Sequence, residues 1–553
     1  MTSASTGRMQ PSDESTLLDR LDADTFTEIC ELLLRAESLR PLSETSRRIR
    51  EACMPMLFRH TWVQSARVFG DYDPDFLPRS LWPHIQRLTF YGIFPESRIS
   101  PWVRPTIHPS IYAARALQDA FEHMPKLNKI KIFALQGHGV PWLVLETILS
   151  NPRLRSFDLP ECLCRSEPSW DHIPPDPRLS VAAPLQYFRY THHDIYRRAP
   201  RSSALETLFV SAVTQQASQS LETLITSSEM VPSLYDLLAS ASWPNLRELR
   251  LVGERAASDP ALVRSYPTVL ANAPKLQTLV LDLAPPPGAT PRLKICPPRF
   301  GIHSQDTFPW PELLKLSIAY PDPDDALYAV LPHTLRSLAL RCWPRHYIYA
   351  DWLAFGVNPA YGWQSPILTS TELLSIIESR AWHGLSELDI EYAQDEHEER
   401  LLRSLAVACP NLTNITLHRY RSTDADDDID ITMLAQSFAP LTQLRDLRLH
   451  LNFVQQPFHI DAMEPSERPK LIALHAKFHQ CATDLASALA PSLRSVSFLN
   501  RVARANYWTP FRIYMDQDKR RAAVMSDEQA TSLGLDLMDF RSPPLDHGFS
   551  FPL

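Results

Sequence analysis

Glycine is scarce in this sequence, with 13 residues among 553, whereas proline is common at 49. Few glycines leave few left-handed turns and no glycine-rich loop of the kind that cradles phosphate groups. The signatures G-x-S-x-G, H-E-x-x-H, G-x-G-x-x-G and G-x-x-x-x-G-K-[ST] are also missing from the chain. These absences favour a binding protein over an enzyme, and we expect no cofactor.

The eight cysteines are scattered and form no C-x-x-C pair. This distribution predicts reduced, mostly buried thiols, and therefore a cytoplasmic or nuclear protein. The polar residues 1–15 lack the apolar core of a signal peptide. No stretch approaches the ~18 apolar residues that a membrane crossing requires, so no membrane partner is expected.

The charge balance is mildly acidic, with 55 Lys and Arg against 63 Asp and Glu and a net charge of −8. Nucleic-acid binding proteins usually carry a clustered basic surface. The overall balance gives no sign of one, and we expect no nucleic-acid partner.

The stretch from Leu21 to Phe58 predicts three short helices. Apolar residues spaced i, i+3 and i+7 indicate the first, with Asp22 or Asp24 as its N-cap. Ser38 is expected to cap the second, and Ser43 to open the third. Helices this short enclose little core, so they require a partner surface or a following domain.

This pattern resembles the F-box, the helical motif that docks substrate receptors onto the Skp-family adaptor of SCF ubiquitin ligases. The resemblance is carried by Leu21, Asp24, Ile29, Leu33, Ser38, Leu39, Leu42 and residues 45–49. It implies an adaptor partner, and through it a cullin, with catalysis left to other subunits. The residues implied for adaptor contact, together with the small core behind them, are Leu21, Phe26, Ile29, Leu33, Leu39, Leu42 and Ile49. Alternatively, these helices only cap the domain that follows.

A repeated unit, L-x-x-L-x-L, occupies most of the remaining chain. Alternating L-x-L predicts a short strand with one apolar face, and helical stretches ending at proline precede many copies. The copies have a mean step of about 34 residues, long for a leucine-rich repeat at ~20–29. Their first apolar residues are 85, 127, 154, 185, 205, 246, 276, 313, 335, 385, 412, 444 and 493.

Helix, proline and strand in repetition predict an α/β solenoid, with parallel strands on the concave side and helices outside. The unit resembles a divergent leucine-rich repeat. The predicted organisation is a disordered lead (1–15), the F-box (16–60), a linker helix or transition (61–81), the solenoid (82–500), and a C-terminal cap and tail (501–553). Within the cap, residues 507–525 predict a hairpin turning at 516–518, and the chain beyond Ser526 is expected to be loosely ordered.

Side chains at the x positions inside the strands are expected on the concave face, and the first copies are basic. An acidic or phosphorylated protein segment could dock there. Alternatively, these charges only keep the solenoid soluble. The residues predicted to bind a protein substrate are Arg87, Lys129, Lys131, Tyr187, Arg189 and Arg250.

Four weaker constellations suggest metal sites, and none has a complete ligand set. His475 and His479 lie one helical turn apart without a third ligand. Cys162 and Cys164 with His172 could suggest zinc, but the repeat register makes Cys162 a ladder residue instead. Residues 424–430 resemble the start of a calcium loop, but Ile429 stands where glycine is required. His192 and His193 lie beside a strand. No metal is expected.

Overall fold

The structure is a computed structural model. It describes residues 21–35, 38–65, 68, 75–92, 109–133, 140–160, 164–165, 179, 181–191, 204–228, 234–254, 265–284, 292–296, 308–342, 367–421, 429–453, 468–502 and 505–539.

The first described elements are three helices, α1 (Ala23–Arg35), α2 (Leu39–Ser43) and α3 (Arg47–Leu57). Asp22 caps α1, because its Oδ1 accepts the backbone N–H groups of Asp24 and Thr25 at 3.0 and 2.9 Å. The prediction that Ser43 opens α3 is wrong. Ser46 does so by accepting the N–H of Ile49 at 3.2 Å, whereas the Ser43 hydroxyl donates within α2.

Fourteen of the described strands form one continuous parallel array. In spatial order they are β1 (His60–Gln64), β2 (Arg87–Tyr91), β3 (Lys129–Phe133), β5 (Ser156–Pro160), β7 (Tyr187–Thr191), β8 (Thr223–Ser227), β9 (Glu248–Glu254), β10 (Thr278–Ala284), β11 (Lys315–Ala319), β12 (Ser337–Arg341), β14 (Glu387–Ala393), β15 (Asn414–Tyr420), β16 (Asp446–His450) and β17 (Ser495–Val502).

Helices connect many of these strands and pack on one face of the sheet. Together with the inward strand residues they form a single buried core. They are α4 (Pro109–His123), α5 (Trp142–Leu149), α6 (Ala204–Ala217), α7 (Leu234–Ser240), α8 (Tyr266–Val269), α9 (Leu327–Val330), α10 (Ser370–Glu378), α11 (Glu398–Ala408), α12 (Ile431–Phe438) and α13 (Arg468–Ala488). The predicted α/β solenoid, resembling a leucine-rich repeat, is confirmed.

Short elements complete the fold. β4 (Val140–Pro141) pairs with β6 (Cys164–Arg165), and β13 (Leu368–Thr369) pairs with β14. At the C-terminal end β18 (Ala505–Asp516) runs antiparallel to β17, and β19 (Lys519–Val524) returns along β18. The hairpin turns at Gln517 and Asp518, both with positive φ, as predicted. The expectation of loose order beyond Ser526 is wrong for residues 527–539, which include α14 (Asp527–Ser532) and β20 (Met538–Asp539). Residues 540–553 lie outside the described residues.

Buried tryptophans that precede several strands form hydrogen bonds to the segment before them. Trp82, Trp243 and Trp382 stand three residues before the first apolar residue of their repeats. The indole N–H of each donates to the carbonyl five residues earlier, at 3.0–3.1 Å. Each ring therefore fills the core and also satisfies a backbone acceptor at the end of the preceding segment.

One predicted strand is a helix. The tetrapeptide LETL occurs twice, at 205–208 within α6 and at 221–224 entering β8. After the first copy, apolar residues recur at helical spacing, with Phe209, Val213 and Ala217 buried. After the second come β-branched Ile225 and Thr226, which favour a strand. The array also begins earlier than predicted, because β1 lies at the start of the expected linker.

The described part of the chain contains no helix long and apolar enough to span a membrane.

Candidate interaction surfaces

The three N-terminal helices, hereafter the N-terminal bundle, have a small core of their own. Cys30, Leu39, Ile49 and Cys53 are buried together and belong to a cluster distinct from the core of the repeats. Phe26, Leu33 and Leu42 pack partly against it. The bundle therefore has a core separate from that of the repeats.

The residues implied for adaptor contact divide into two groups. Leu39 and Ile49 are buried and serve the core of the bundle, whereas the others are partly exposed. Sequence reasoning missed Leu32, which is 63% exposed on α1 and the most exposed leucine of the bundle. The i, i+3, i+7 pattern identifies the residues on the buried side of a helix. Leu32 lies outside that side of α1, so the pattern does not identify it. The partly exposed residues are Leu21, Phe26, Ile29, Leu33 and Leu42.

Two thiols meet inside the bundle. Cys30 Sγ and Cys53 Sγ lie 4.0 Å apart, joining α1 to α3. Burial raises the pKa of Cys53 to about 11 and raises that of Cys30. Both thiols therefore stay protonated and poorly nucleophilic at neutral pH.

The second surface is the sheet face opposite the helices, hereafter the open face. Inward residues such as Leu88 and Ile130 are fully buried, whereas their strand neighbours Arg87 and Lys129 reach solvent. Strand register places His60, Arg87 and Lys129 in one row across β1, β2 and β3. Burial, then repulsion from nearby cations, lowers the pKa of His60, so the charge of this row comes from Arg87 and Lys129.

An acidic residue interrupts the predicted basic cluster. Asp158 on β5 lies 3.6 Å from Lys131 Nζ and 3.9 Å from Arg189 Nε. Burial raises the pKa of Asp158, while Lys131 and Arg189 oppose that shift. The sequence could have predicted this neighbour. Asp158 occupies the same alternating position in its repeat copy as Lys131 does in the preceding copy.

The remaining predicted residues lie farther along the sheet. Arg250 on β9 forms an ion pair with Glu248 on the same strand. Tyr187 on β7 is half-buried, and its burial raises its pKa. The structure thus brings together Arg87, Lys129 and Lys131, and leaves Arg250 neutralised by its own neighbour.

Three exposed aromatic residues flank Arg87, Lys129 and Lys131. Trp62, Tyr91 and Phe133 are 60%, 40% and 37% exposed on β1, β2 and β3. Trp62 and Tyr91 make an edge contact at 6.0 Å, and Lys131 Nζ lies 5.5 Å from the centre of the Phe133 ring. We name these three rings, with Arg87, Lys129 and Lys131, the aromatic–basic patch. Exposed Trp, Tyr and Arg side chains are enriched at protein-binding hot spots.

Among the candidate metal sites, the structure describes the histidine pair on α13. His475 Nε2 lies 3.0 Å from Asn500 Nδ2, and the ring of His479 contacts Phe511. Cys162, His172, His192, His193 and residues 424–428 lie outside the described residues, as do the side-chain surroundings of Cys164.

One other group, Asp395, Glu396 and His397, brings three ligand atoms within 4.8 Å of one another. Asp395 already accepts N–H groups from Thr371 and His397 at 2.9 Å. Asp395 therefore joins the turn before α11 to the first turn of α10.

No protein-family model and no curated protein matches this chain. Among solved structures, the crystal structure of a TLR13–ssRNA13 complex is similar, with a TM-score of 0.33 and 14% sequence identity. The match covers 68% of this chain, which spans 42% of the TLR13 chain. The ssRNA is a ligand of that protein, and nothing about this chain's ligand follows from it.

Proposed function

We propose that this protein is the substrate-recognition subunit of an SCF-type ubiquitin ligase. In this proposal the N-terminal bundle is an F-box that docks onto a Skp-family adaptor, and the repeats hold a protein substrate. The observation that carries it is an accessible apolar helical surface, packed around its own small core at one end of a repeat array. The protein has no catalytic role in the proposal, and we expect it in the cytoplasm or nucleus.

The partly exposed residues of the bundle support a docking role. Leu32, Ile29 and Phe26 lie on α1, and Leu42 lies on α2, so two helices contribute apolar surface. A standard interface buries about 800 Å² on each partner, which is within reach of a bundle of this size. An isolated cap on the solenoid would instead be expected to share the core of the repeats.

We expect the double variant Leu32→Asp, Ile29→Asp to bind a purified Skp-family adaptor at least about 100-fold more weakly than the wild type. Two carboxylates would be desolvated without partners at the centre of the interface. Isothermal titration calorimetry with the full chain measures the loss. Val407→Asp is the matched control, because Val407 is an apolar residue 77% exposed on the distant helix α11.

Equal adaptor binding by the wild type and the double variant would overturn the ligase proposal. The alternative, a repeat scaffold capped by these helices, is tested with a chain that lacks residues 1–58. This deletion retains β1. A docking module can be removed without unfolding the array, whereas loss of a structural cap would unfold the adjoining repeats.

The aromatic–basic patch is the proposed substrate contact. We expect Trp62→Ala together with Tyr91→Ala to remove most of the proteins that the wild-type chain retains in quantitative affinity capture. Truncating aromatic hot spots typically costs about 2 kcal/mol or more each. Tyr112→Ala is the control, since Tyr112 is 42% exposed on α4, outside the open face. If the Tyr112 variant loses the same proteins, or the patch variant loses none, the patch is not the contact surface.

A further inference from the structure

A separate groove of about 460 Å³ lies below the aromatic–basic patch, where β2, β3 and β5 begin. Lys126, Arg153 and Arg155 supply three cations to its lining, and Gln86 and Asn128 supply two amides. No carboxylate lines it. The groove is therefore shallow and open, and all of its charged side chains are positive.

The cations of this groove are not neutralised within the described ranges of the chain, where no carboxylate forms an ion pair with any of them. Several cations elsewhere on the sheet are paired, as Arg341 is with Asp389 at 2.6 Å. Arg153 Nη2 donates to the carbonyl of Phe121, and Arg155 Nη1 donates to that of Pro152 at 2.9 Å. These bonds hold both guanidinium groups in place while other N–H donors remain available, which preorganises the site.

The cluster comes from the register of the repeats. Lys126 and Arg153 each stand directly before the first apolar residue of their copy, and His84 has that position in the preceding copy. Burial, and then repulsion from Lys126, lowers the pKa of His84, which is further evidence of positive potential here. Lys275 occupies the same position before β10, five strands from β3, where Asn245 Oδ1 accepts from it.

We propose that this groove binds the phosphate group of a phosphorylated serine or threonine in the protein partner, an inference that rests on the proposed role of the repeats in holding a protein. A phosphate carries nearly two negative charges and three acceptor oxygens, which match several cationic donors better than one carboxylate does. Gln86 and Asn128 directly precede Arg87 and Lys129, so a segment anchored in the groove continues onto the aromatic–basic patch. Asp158 on the open face disfavours a nucleic-acid backbone.

The test is fluorescence anisotropy of the full-length chain, without adaptor, against short labelled peptide pools whose central residue is phosphoserine, serine or glutamate. We expect the phosphoserine pool to bind about tenfold or more tightly than the serine pool, and inorganic phosphate to compete. Lys126→Ala with Arg155→Ala should remove that preference. Lys275→Ala, the same substitution at the equivalent repeat position, should leave it unchanged, and Lys126→Arg should retain most of it.

Equal binding of the phosphoserine and serine pools would overturn the proposal, as would an equal loss of preference in Lys275→Ala and in the Lys126→Ala, Arg155→Ala double variant. A single-stranded RNA that binds more tightly than the phosphoserine pool, and is lost in the same variants, would assign the groove to nucleic acid instead. Circular dichroism melting of each variant identifies any loss of fold, and then Lys126→Arg and phosphate competition decide. Because no adaptor is present, failure here is distinct from failure of adaptor docking.

Discussion

Replacing Arg419 by methionine is expected to lower the free energy of unfolding by about 3–5 kcal/mol, because it leaves a carboxylate buried without its counter-ion. Arg419 on β15 is 1% exposed, and its Nε donates to Glu398 Oε1 at 2.7 Å. Its Nη1 also donates to the carbonyl of Leu451 at 3.1 Å, and its Nη2 donates to Gln394 at 2.5 Å. One side chain on β15 thus joins the segment that follows β14 to the segment that follows β16.

Urea denaturation followed by circular dichroism measures this loss. Arg400→Met is the matched control on the same helix as Glu398, because Arg400 pairs with Glu378 at 3.0 Å on the surface. Exposed pairs contribute about 0–1 kcal/mol, so this control should unfold nearly as the wild type does. Adding Glu398→Gln to Arg419→Met should restore part of the loss, since the orphaned charge is then removed. Equal effects of the two arginine substitutions would contradict the account.

Trp243→Ala is expected to destabilise the chain by about 3–5 kcal/mol, through the cavity that it leaves in the core. Trp243 is fully buried, and its indole N–H donates to Leu238 O at 3.1 Å. Trp243→Phe keeps much of the packing but leaves that carbonyl unsatisfied, which costs about 1–3 kcal/mol. We expect the urea midpoint to be highest for the wild type, lower for Trp243→Phe and lowest for Trp243→Ala. The first difference reports mainly the lost hydrogen bond, and the second reports the lost packing.

Trp62→Ala supplies the control for this series. The chemical change is the same, but the ring is 60% exposed on the open face. We expect little change in its urea midpoint. If Trp62→Ala destabilises the chain as much as Trp243→Ala, burial is not the cause of the effect.

The strands were predictable because their signal is local. Alternating apolar residues after a helix-ending proline determine which face is buried, and twelve of the thirteen predicted copies are strands of the array. The exception, at 205, contains the same LETL tetrapeptide as β8. Four residues do not determine the conformation there, because the apolar spacing that follows decides between helix and strand. β1 was missed because its segment, HTWVQ, lacks the leading L-x-x-L.

The surfaces were less predictable than the strands. The basic residues at the start of the array follow from the alternation alone, but the exposure of Trp62, Tyr91 and Phe133 depends on which strands become neighbours. Pairing between strands 27 and 42 residues apart in sequence brings these rings together. The groove at Lys126 and Arg155 likewise requires the register between copies, which no single copy contains.

The parallel stacking of the strands sets how far a bound protein substrate would lie from the N-terminal bundle. Neighbouring strands are spaced ~4.8 Å apart, so β3 lies roughly 10 Å from β1, whereas β17 lies about 60 Å away along the sheet. Arg59, directly before β1, reaches Glu31 of the N-terminal bundle at 4.0 Å. A protein substrate bound to the first three strands would therefore lie close to the N-terminal bundle. Binding one strand farther along would increase its distance from the bundle by one strand spacing.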